Sequence, residues 1–332
     1  MATSYRLFGS ELSPYSVKVR SYLRYKGIDH AWIVRSAANA TEFQKYAKLP
    51  LIPLLVGPDD VGLQDSTPII ETLESRVPFP ALQPSDPILA FLSTLIEEYA
   101  DEWLNKPMFH YRWSYAADQR ATADRIAGNM LGSVPAEELQ KASEAIRKRM
   151  VGRLGLVGSN PATAPIIEET LRGALAIFES HLERRPYLLG ARPALADFGA
   201  WGQIYEMSID PTAGALIRGE YPRISAWVER MLAPRSEGEF ESWSELGPGL
   251  MRLLREQIAG IFLPWSTANQ QALGRNETSF SVELCGRSFT QDCQKYHARS
   301  LGVLRAKFAA ANDNRELCRI LEDAGCLRWL AA

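Results

Sequence analysis

The sequence predicts a small mixed α/β domain, then a larger all-helical domain, then a further module that is mostly helical. Strand and helix patterns alternate as β-α-β-α-β-β-α over the first eighty residues, an order that calls for a four-stranded mixed sheet covered by helices. From Ile88 to Leu232 the apolar residues repeat almost wholly at helical spacing. A proline-dense stretch from Pro78 to Pro87 separates the two patterns. We therefore place the domains at residues 1–80, 86–234 and 235–332.

Short signals mark the elements of the first domain. Residues 5–9 form a strand, and the helix after it begins with Ser13 as N-cap and Pro14 in the first turn, and ends before Gly27. Residues 31–34 are a second strand. The remaining elements of the sheet domain are a short helix from Thr41, a hairpin with strands opened by Pro53 and returning at 61–63, and a helix from Asp65 to about Arg76.

The remaining helices follow from apolar periodicity. In the second domain they cover residues 88–104, 136–150, 166–182, 196–209 and 221–232. In the third module the pattern predicts helices at 249–262, 291–311 and 316–324, with one short strand at 280–284.

Composition narrows the class of protein. The chain has 332 residues, 37 Lys and Arg against 39 Asp and Glu, and a formal net charge of -2. A nucleic-acid-binding domain usually carries a basic excess, so we expect no nucleic-acid partner. The first residues lack the apolar core of a signal peptide, and no apolar run approaches the length that spans a bilayer. We therefore expect a cytoplasmic protein without a membrane partner.

All four cysteines lie in the last fifty residues. Their two equal gaps of eight residues differ from the spacing of two to four residues that paired zinc ligands normally have. Buried or idle thiols are one interpretation, and a metal site or a redox pair is the other; we predict no metal.

Three short segments of the first domain suit a peptide ligand that carries a thiol. Ser13 places a hydroxyl at the positive end of a helix dipole, where it stabilises a thiolate, although a plain N-cap explains it as well. The Ile52-Pro53 bond, if cis, exposes backbone groups to an extended ligand; a trans proline opening an edge strand is the alternative. Asp65 and Ser66 at a helix start suit an ammonium and a carboxylate, or serve as an ordinary cap.

The order and spacing of these segments resemble the cytosolic glutathione S-transferase family. The matching segments of the first domain are Ser13-Pro14-Tyr15-Ser16 with Lys18, Val19 and Arg20, then Ile52-Pro53-Leu54-Leu55, then Gln64-Asp65-Ser66 with Ile69 and Ile70. In the second domain they are Pro186-Tyr187-Leu188-Leu189-Gly190, Ala196-Asp197 and Tyr221-Pro222-Arg223-Ile224. The likeness covers about residues 4–233 and is that of a serine-type active site.

The resemblance implies a thioredoxin-like first domain, glutathione as co-substrate, a homodimer and a role in detoxification. It implies that Ser13 is the catalytic residue, donating a hydrogen bond to the sulfur of glutathione. The residues that it implies for binding the tripeptide are Tyr15, Lys48, Ile52, Pro53, Asp65 and Ser66. Leu51 stands where many members have Lys or Gln, so one contact to the glycyl carboxylate is either missing or supplied by Lys48. Ala194 replaces the usual Ser or Thr of the helix-capping motif and leaves only Asp197 there.

The second substrate is expected to be a small hydrophobic electrophile. An aromatic-dense stretch from Tyr99 to Trp113 suits a wall for a flat apolar compound, and within it we assign Tyr99, Trp103 and His110 to the substrate site. His297 of the third module either caps that site or is an ordinary core or surface histidine. Glutathione-dependent isomerisation and ether or halide cleavage need the same activated thiolate, so the reaction type stays open.

A non-catalytic interaction protein that retains the fold is the alternative function. The 98 residues after Pro234 have no counterpart in the common family pattern and would then be its docking surface.

Overall fold

The computed structural model of the protein describes residues 4–331. Its sheet has four strands in the order β2-β1-β3-β4, namely Tyr5–Gly9 (β1), His30–Val34 (β2), Leu54–Val56 (β3) and Gly62–Gln64 (β4). β1 runs parallel to β2 and antiparallel to β3, which runs antiparallel to β4. The helices of this domain are Pro14–Tyr25 (α1), Ala40–Tyr46 (α2) and Ser66–Arg76 (α3). The mixed sheet and its element order confirm the prediction.

The second domain is wholly helical, as predicted. Its helices are Pro87–Tyr99 (α4), Asn105–Ser114 (α5), Ala116–Leu131 (α6), Ala136–Val151 (α7), Ala164–His181 (α8), Leu195–Ser208 (α9), Pro211–Glu220 (α10) and Pro222–Arg230 (α11). A π-helical segment, Ala100–Leu104, joins α4 to α5. The sequence pattern did not predict α5, α6 or α10. In α5 seven of the ten residues are buried. The helix therefore has no separate polar face, and its sequence lacks the alternation of apolar and polar residues by which a helix is predicted.

The third module contains more regular structure than its sequence indicated. It comprises Trp243–Arg252 (α12), the π-helical segment Leu253–Phe262, Leu263–Gly274 (α13), Ser279–Leu284 (β5), Arg287–Asp292 (β6), Lys295–Ala309 (α14), Arg315–Asp323 (α15) and Leu327–Leu330 (α16). The predicted helix start at Gln291 is wrong, because Gln291 lies in β6 and pairs with Phe280. The turn between the strands is Cys285-Gly286, with φ values of 52° and 68°. Two left-handed residues form the tight turn that hairpins favour, and a Cys at the first position hides that signal in the sequence.

One hydrophobic core runs through all three parts of the chain. The same cluster includes Leu7 of the sheet, Trp103 of the helical domain and Trp265 of the third module. Trp103 packs edge-on against Trp265, with ring centres 5.6 Å apart. The third module is thus built into the core of the helical domain.

Helix α9 sets the position of α1. At Gly202 a Cβ atom would lie 2.7 Å from the carbonyl oxygen of Pro14, so only glycine allows the two helices to approach this closely. The start of α9 is capped by Asp197, whose Oδ2 accepts from the backbone N–H of Ala194 at 2.9 Å. Asp197 Oδ1 also accepts from Leu188 N at 2.8 Å and from Trp227 Nε1 at 3.0 Å. Asp197 therefore serves as the cap beside Ala194.

Within residues 4–331, no helix combines the length and the apolar composition needed to cross a membrane.

Candidate active site

Three loops meet at one edge of the sheet. Phe8 of β1 pairs with Leu54 of β3, and Leu54 pairs with Gln64 of β4. The residues that follow Phe8, precede Leu54 and follow Gln64 therefore leave the sheet on the same side. These are the loop to Ser13, the Ile52-Pro53 pair and the Asp65-Ser66 pair, so the structure brings together the three segments that the sequence singled out.

Ser13 caps α1. Its backbone is extended, with φ of -120° and ψ of 112°, and its Oγ accepts from the backbone N–H of Ser16 at 3.3 Å. The hydroxyl is at the amino end of a twelve-residue helix, and the side chain is only partly buried. The Oγ–H is free to donate outward while the oxygen caps the helix. A thiolate placed there would meet one hydroxyl donor and the positive end of the helix dipole.

Tyr15 points away from the sheet edge and toward the helical domain. Its hydroxyl donates to the backbone carbonyl of Asp101 at 3.0 Å, across the junction of the two domains. Burial and the neighbouring Asp101 charge raise its pKa well above the usual value, so the phenol stays protonated. The structure gives Tyr15 a role in joining the domains, and the predicted glutathione contact of its side chain stays a prediction.

The Ile52-Pro53 peptide bond is cis, and Pro53 is buried directly before β3. Within the described residues, 4–331, the backbone N–H and C=O of Ile52 have no protein hydrogen-bond partner. Both groups are thus available to an extended peptide ligand, as predicted for a cis bond.

Gln64 holds the loop before Ile52 in place, a role that the sequence reasoning missed. Its Oε1 accepts from the backbone N–H of Lys48 at 2.7 Å and of Leu49 at 3.0 Å. Its Nε2 donates to the carbonyls of Leu49 and Leu51, both at 2.8 Å. The side chain of Lys48 is exposed on this loop, where it can reach a ligand at the sheet edge. The position of this glutamine at the end of a strand, directly before Asp65-Ser66, is the sequence feature that could have indicated its role.

Asp65 and Ser66 begin α3. Asp65 has a left-handed backbone, with φ of 76°, and its carboxylate makes no capping hydrogen bond to the helix. Ser66 is buried, and its hydroxyl has no partner among residues 4–331. The first N–H groups of α3 and the carboxylate of Asp65 together offer both an anion site and a cation site.

A buried charge cluster lies behind these loops, where α1 meets α4. Lys18 Nζ donates to Glu97 and, at 2.6 Å, to Asp101 Oδ2. Burial raises the pKa of Asp101 to about 8, and repulsion by Glu97 adds to this effect. One lysine thus faces two carboxyl groups, and Lys18 offsets only part of the effect of burial on the pKa of Asp101. The π-helical segment places Asp101 at this junction.

Arg112 fixes the loop before Ser13 from the helical domain. Its guanidinium donates to the carbonyl of Leu12 at 3.2 Å, while Glu206 and Asp210 accept from it at 2.7 and 2.6 Å. Local sequence does not reveal this role of Arg112, because its two carboxylate partners lie 94 and 98 positions further along the chain.

The structure places the three residues assigned to the second-substrate wall in the core instead. Trp103 is fully buried and donates to Thr170 Oγ1 at 3.3 Å, and Tyr99 is fully buried and donates to Gln257 Oε1 at 3.1 Å. His110 Nε2 donates to Glu168 Oε1 at 3.1 Å. The third module covers Tyr99 and Trp103, which contact its residues Gln257 and Trp265. His110 is instead enclosed within the helical domain, where its Nδ1 also bonds to Ser159 Oγ at 2.7 Å.

His297 lies in the first turn of α14, in the third module. Its Nδ1 bonds to the carboxylate of Glu102, and its ring packs edge-on against Trp265 at 4.9 Å. These contacts join α14 to the π-helical segment 100–104. They do not support the predicted role of His297 in capping a substrate site.

The four cysteines are free, and only Cys326 is fully buried. Within residues 4–331 no group of His, Cys, Asp or Glu has an arrangement that could hold a metal ion.

The four-stranded sheet has a cis-proline directly before β3, and an all-helical domain follows it. This arrangement is typical of two-domain proteins with a thioredoxin-like first domain. The chain belongs to the glutathione S-transferase family, whose members are glutathione-dependent enzymes. Its residues 7–85 match the glutathione S-transferase N-terminal domain, and residues 140–230 match the C-terminal domain. The whole third module, residues 235–332, lies beyond both matches.

Three similar proteins share between 16% and 24% of their aligned residues with this chain. The chain is 24% identical over 206 residues to the isoprene-epoxide–glutathione S-transferase of Rhodococcus sp. strain AD45, which covers 60% of this chain and 82% of that protein. Among solved structures, it is similar to the β-etherase LigF of Sphingobium sp. strain SYK-6, with 16% identity, a TM-score of 0.47 and coverage of 75% and 99%. It is also similar to a glutathione S-transferase of Methylobacterium radiotolerans in complex with glutathione sulfonate, with 20% identity, a TM-score of 0.44 and coverage of 72% and 99%.

Proposed function

We propose that this protein binds glutathione at the sheet edge and activates its thiol for attack on a small hydrophobic electrophile. The hydroxyl of Ser13 donates to the sulfur and, with the amino end of α1, stabilises the thiolate over the thiol. More of the bound glutathione is then nucleophilic at neutral pH.

The chemistry of the three loops supports this assignment. Glutathione has a thiol in its centre, a peptide backbone around it, and an ammonium with a carboxylate at its γ-glutamyl end. Ser13 suits the thiol, the unpaired backbone groups of Ile52 suit the cysteinyl peptide unit, and Asp65 with Ser66 suits the γ-glutamyl end. Lys48 suits the glycyl carboxylate. The observation that supports the proposal most directly is the strand register, which brings these loops to one edge of the sheet.

We propose an epoxide or an aryl halide as the electrophile. The relative from Rhodococcus is named for an epoxide and glutathione, which favours ring opening. In that step the thiolate sulfur forms a bond to an epoxide carbon, the carbon–oxygen bond breaks, and the alkoxide takes a proton from solvent water, to which the thiol proton was earlier released. A homodimer and a role in detoxification stay predictions from the family resemblance, and a cytoplasmic location stays a prediction from the sequence.

Ser13→Ala tests the proposal. We expect kcat/KM with a small epoxide to fall roughly 100-fold, as for other single donors to a developing or stabilised anion. The pKa of the bound thiol, followed by the ultraviolet absorbance of the thiolate, should rise toward that of free glutathione.

Ser16→Ala is the matched control. Ser16 lies one turn along the same helix, and its buried Oγ has no partner within residues 4–331. This variant should keep both the rate and the thiol pKa.

The unaltered protein separates the two candidate functions. If it binds glutathione but conjugates no electrophile, the non-catalytic interaction protein is favoured. If it does not bind glutathione at millimolar concentration, the proposed site is rejected.

A further inference from the structure

The first turn of α14 lies over the amino end of α3. The hydroxyl of Tyr296 donates to Asp65 Oδ2 at 3.1 Å, joining two residues that are 231 positions apart. Tyr296 belongs to the third module, which both family matches leave out. A residue of this module therefore contacts the loop that the proposed function assigns to the γ-glutamyl end of glutathione.

The carboxylate of Asp65 has room for a cationic ligand. Within residues 4–331 no lysine, arginine or histidine lies within 4.0 Å of it, and the side chain does not cap α3. Tyr296 uses one of about four lone-pair positions that a carboxylate offers, which leaves the others open. Because a phenol is neutral, this contact orients the carboxylate without neutralising its charge.

Helix α14 is held firmly enough to place Tyr296. Along its length His297 bonds to Glu102, Ser300 bonds to Glu98, and Lys307 pairs with Glu71 of α3 at 2.6 Å. Near its end Phe308 packs against Phe91, with ring centres 5.6 Å apart. These contacts seat α14 between α3 and α4, so the position of Tyr296 does not depend on its single hydrogen bond.

We propose that Tyr296 is a positioning residue for glutathione, which acts by orienting the Asp65 carboxylate toward the γ-glutamyl ammonium. This inference rests on the proposed function, since it needs glutathione at the sheet edge. The third module then completes the binding site in the same chain, and part of the tripeptide's affinity depends on a segment outside the two family domains. The Tyr296 side chain is 49% exposed, so a ligand can approach from its open side.

The hydroxyl of Tyr296 is a donor under all working conditions. Partial burial and the charges of Asp65 and Asp101 raise the pKa of the phenol above its usual value. The bond to Asp65 therefore persists while the ammonium of glutathione titrates.

Calorimetry with two ligands tests the inference on the full chain. The ligands are glutathione and glutaryl-cysteinyl-glycine, which lacks only the γ-glutamyl amino group. We expect Tyr296→Phe to weaken glutathione binding about 3- to 10-fold, the effect of one hydrogen bond, and to leave the glutaryl compound nearly unchanged. In an Asp65→Asn background, Tyr296→Phe should have no further effect on glutathione, because the two residues act as one unit.

Tyr115→Phe is the matched control, since Tyr115 also donates to a carboxylate, Glu168 Oε1 at 2.7 Å, within the helical domain. It should bind both ligands as the unaltered protein does. Equal glutathione affinity in Tyr296→Phe and the unaltered protein would overturn the role of Tyr296, and so would tighter binding, which would mean that the hydroxyl competes with the ligand. No glutathione binding by the unaltered protein would instead reject the proposed function itself.

Discussion

The helical domain packs against the sheet domain on one side and the third module on the other, and each junction buries a lysine. The two lysines have different partners. At the junction with the sheet domain, Lys18 is fully buried and lies between the carboxyl groups of Glu97 and Asp101. At the junction with the third module, Lys106 is just as buried, but within residues 4–331 it has no carboxylate partner. Its Nζ donates to Gln291 Oε1 at 2.7 Å and lies 3.9 Å from the ring centre of Trp265.

The pKa values of the two lysines move in opposite directions. Burial alone would lower the pKa of Lys18, but the charges of Asp101 and Glu97 outweigh it and raise the pKa. For Lys106 burial acts without such charges and lowers the pKa well below the usual value. The comparison shows that a buried amine is tolerated either through opposite charge or through an aromatic and amide cage. Only the first arrangement leaves unpaired charges when the lysine is removed.

Lys18→Met should have the largest effect on stability. Removing the ammonium leaves two buried carboxyl groups without a cation, which typically costs about 3 to 5 kcal/mol. Urea unfolding followed by circular dichroism would measure the loss. A variant that unfolds at the same urea concentration as the unaltered protein would show that the ion pairs do not hold this junction together.

The free energy of unfolding should also fall as the pH rises. Asp101 has a pKa of about 8 in the folded protein against 3.8 ordinarily, and burial raises the pKa of nearby Glu98 to about 7. The folded chain thus holds protons that the unfolded chain has lost. This stabilisation is complete below the unfolded pKa and disappears as the pH passes through 7 and 8, by up to about 1.4 kcal/mol per pH unit for each proton.

Asp101→Asn mimics the protonated acid and is the control for this pH dependence. Urea unfolding at pH 6, 7, 8 and 9 should give a flatter profile for the variant than for the unaltered protein. Parallel profiles would mean that Asp101 is ionised throughout this range.

Lys106→Met should have the smallest effect, within about 1 kcal/mol. Methionine fits the space of the lysine chain, and Gln291 Oε1 keeps the hydrogen bond that Trp265 Nε1 donates to it at 3.1 Å. The same urea series serves as the measurement. A loss as large as that of Lys18→Met would remove the distinction between the two junctions.

Much of the sheet domain and of the candidate site could be predicted from local sequence. Ser13-Pro14, Ile52-Pro53 and Asp65-Ser66 are each short signals that act on their own neighbours, and their places between alternating strands and helices put them at one edge. Gln64 and Arg112 could not be assigned in this way, because their partners are the backbone of another loop and carboxylates far along the chain.

The sequence by itself determined the element order of the sheet domain, the cap at Ser13 and the loops that carry the candidate site, since these depend on residues within one or two turns of each other. Only the tertiary structure decided what the aromatic residues of the helical domain face. Tyr99 and Trp103 have the composition of a substrate wall, and the third module buries them instead. The same packing brings Tyr296 to Asp65. Both results arise from contacts between residues more than 150 positions apart, which no periodicity or local motif records.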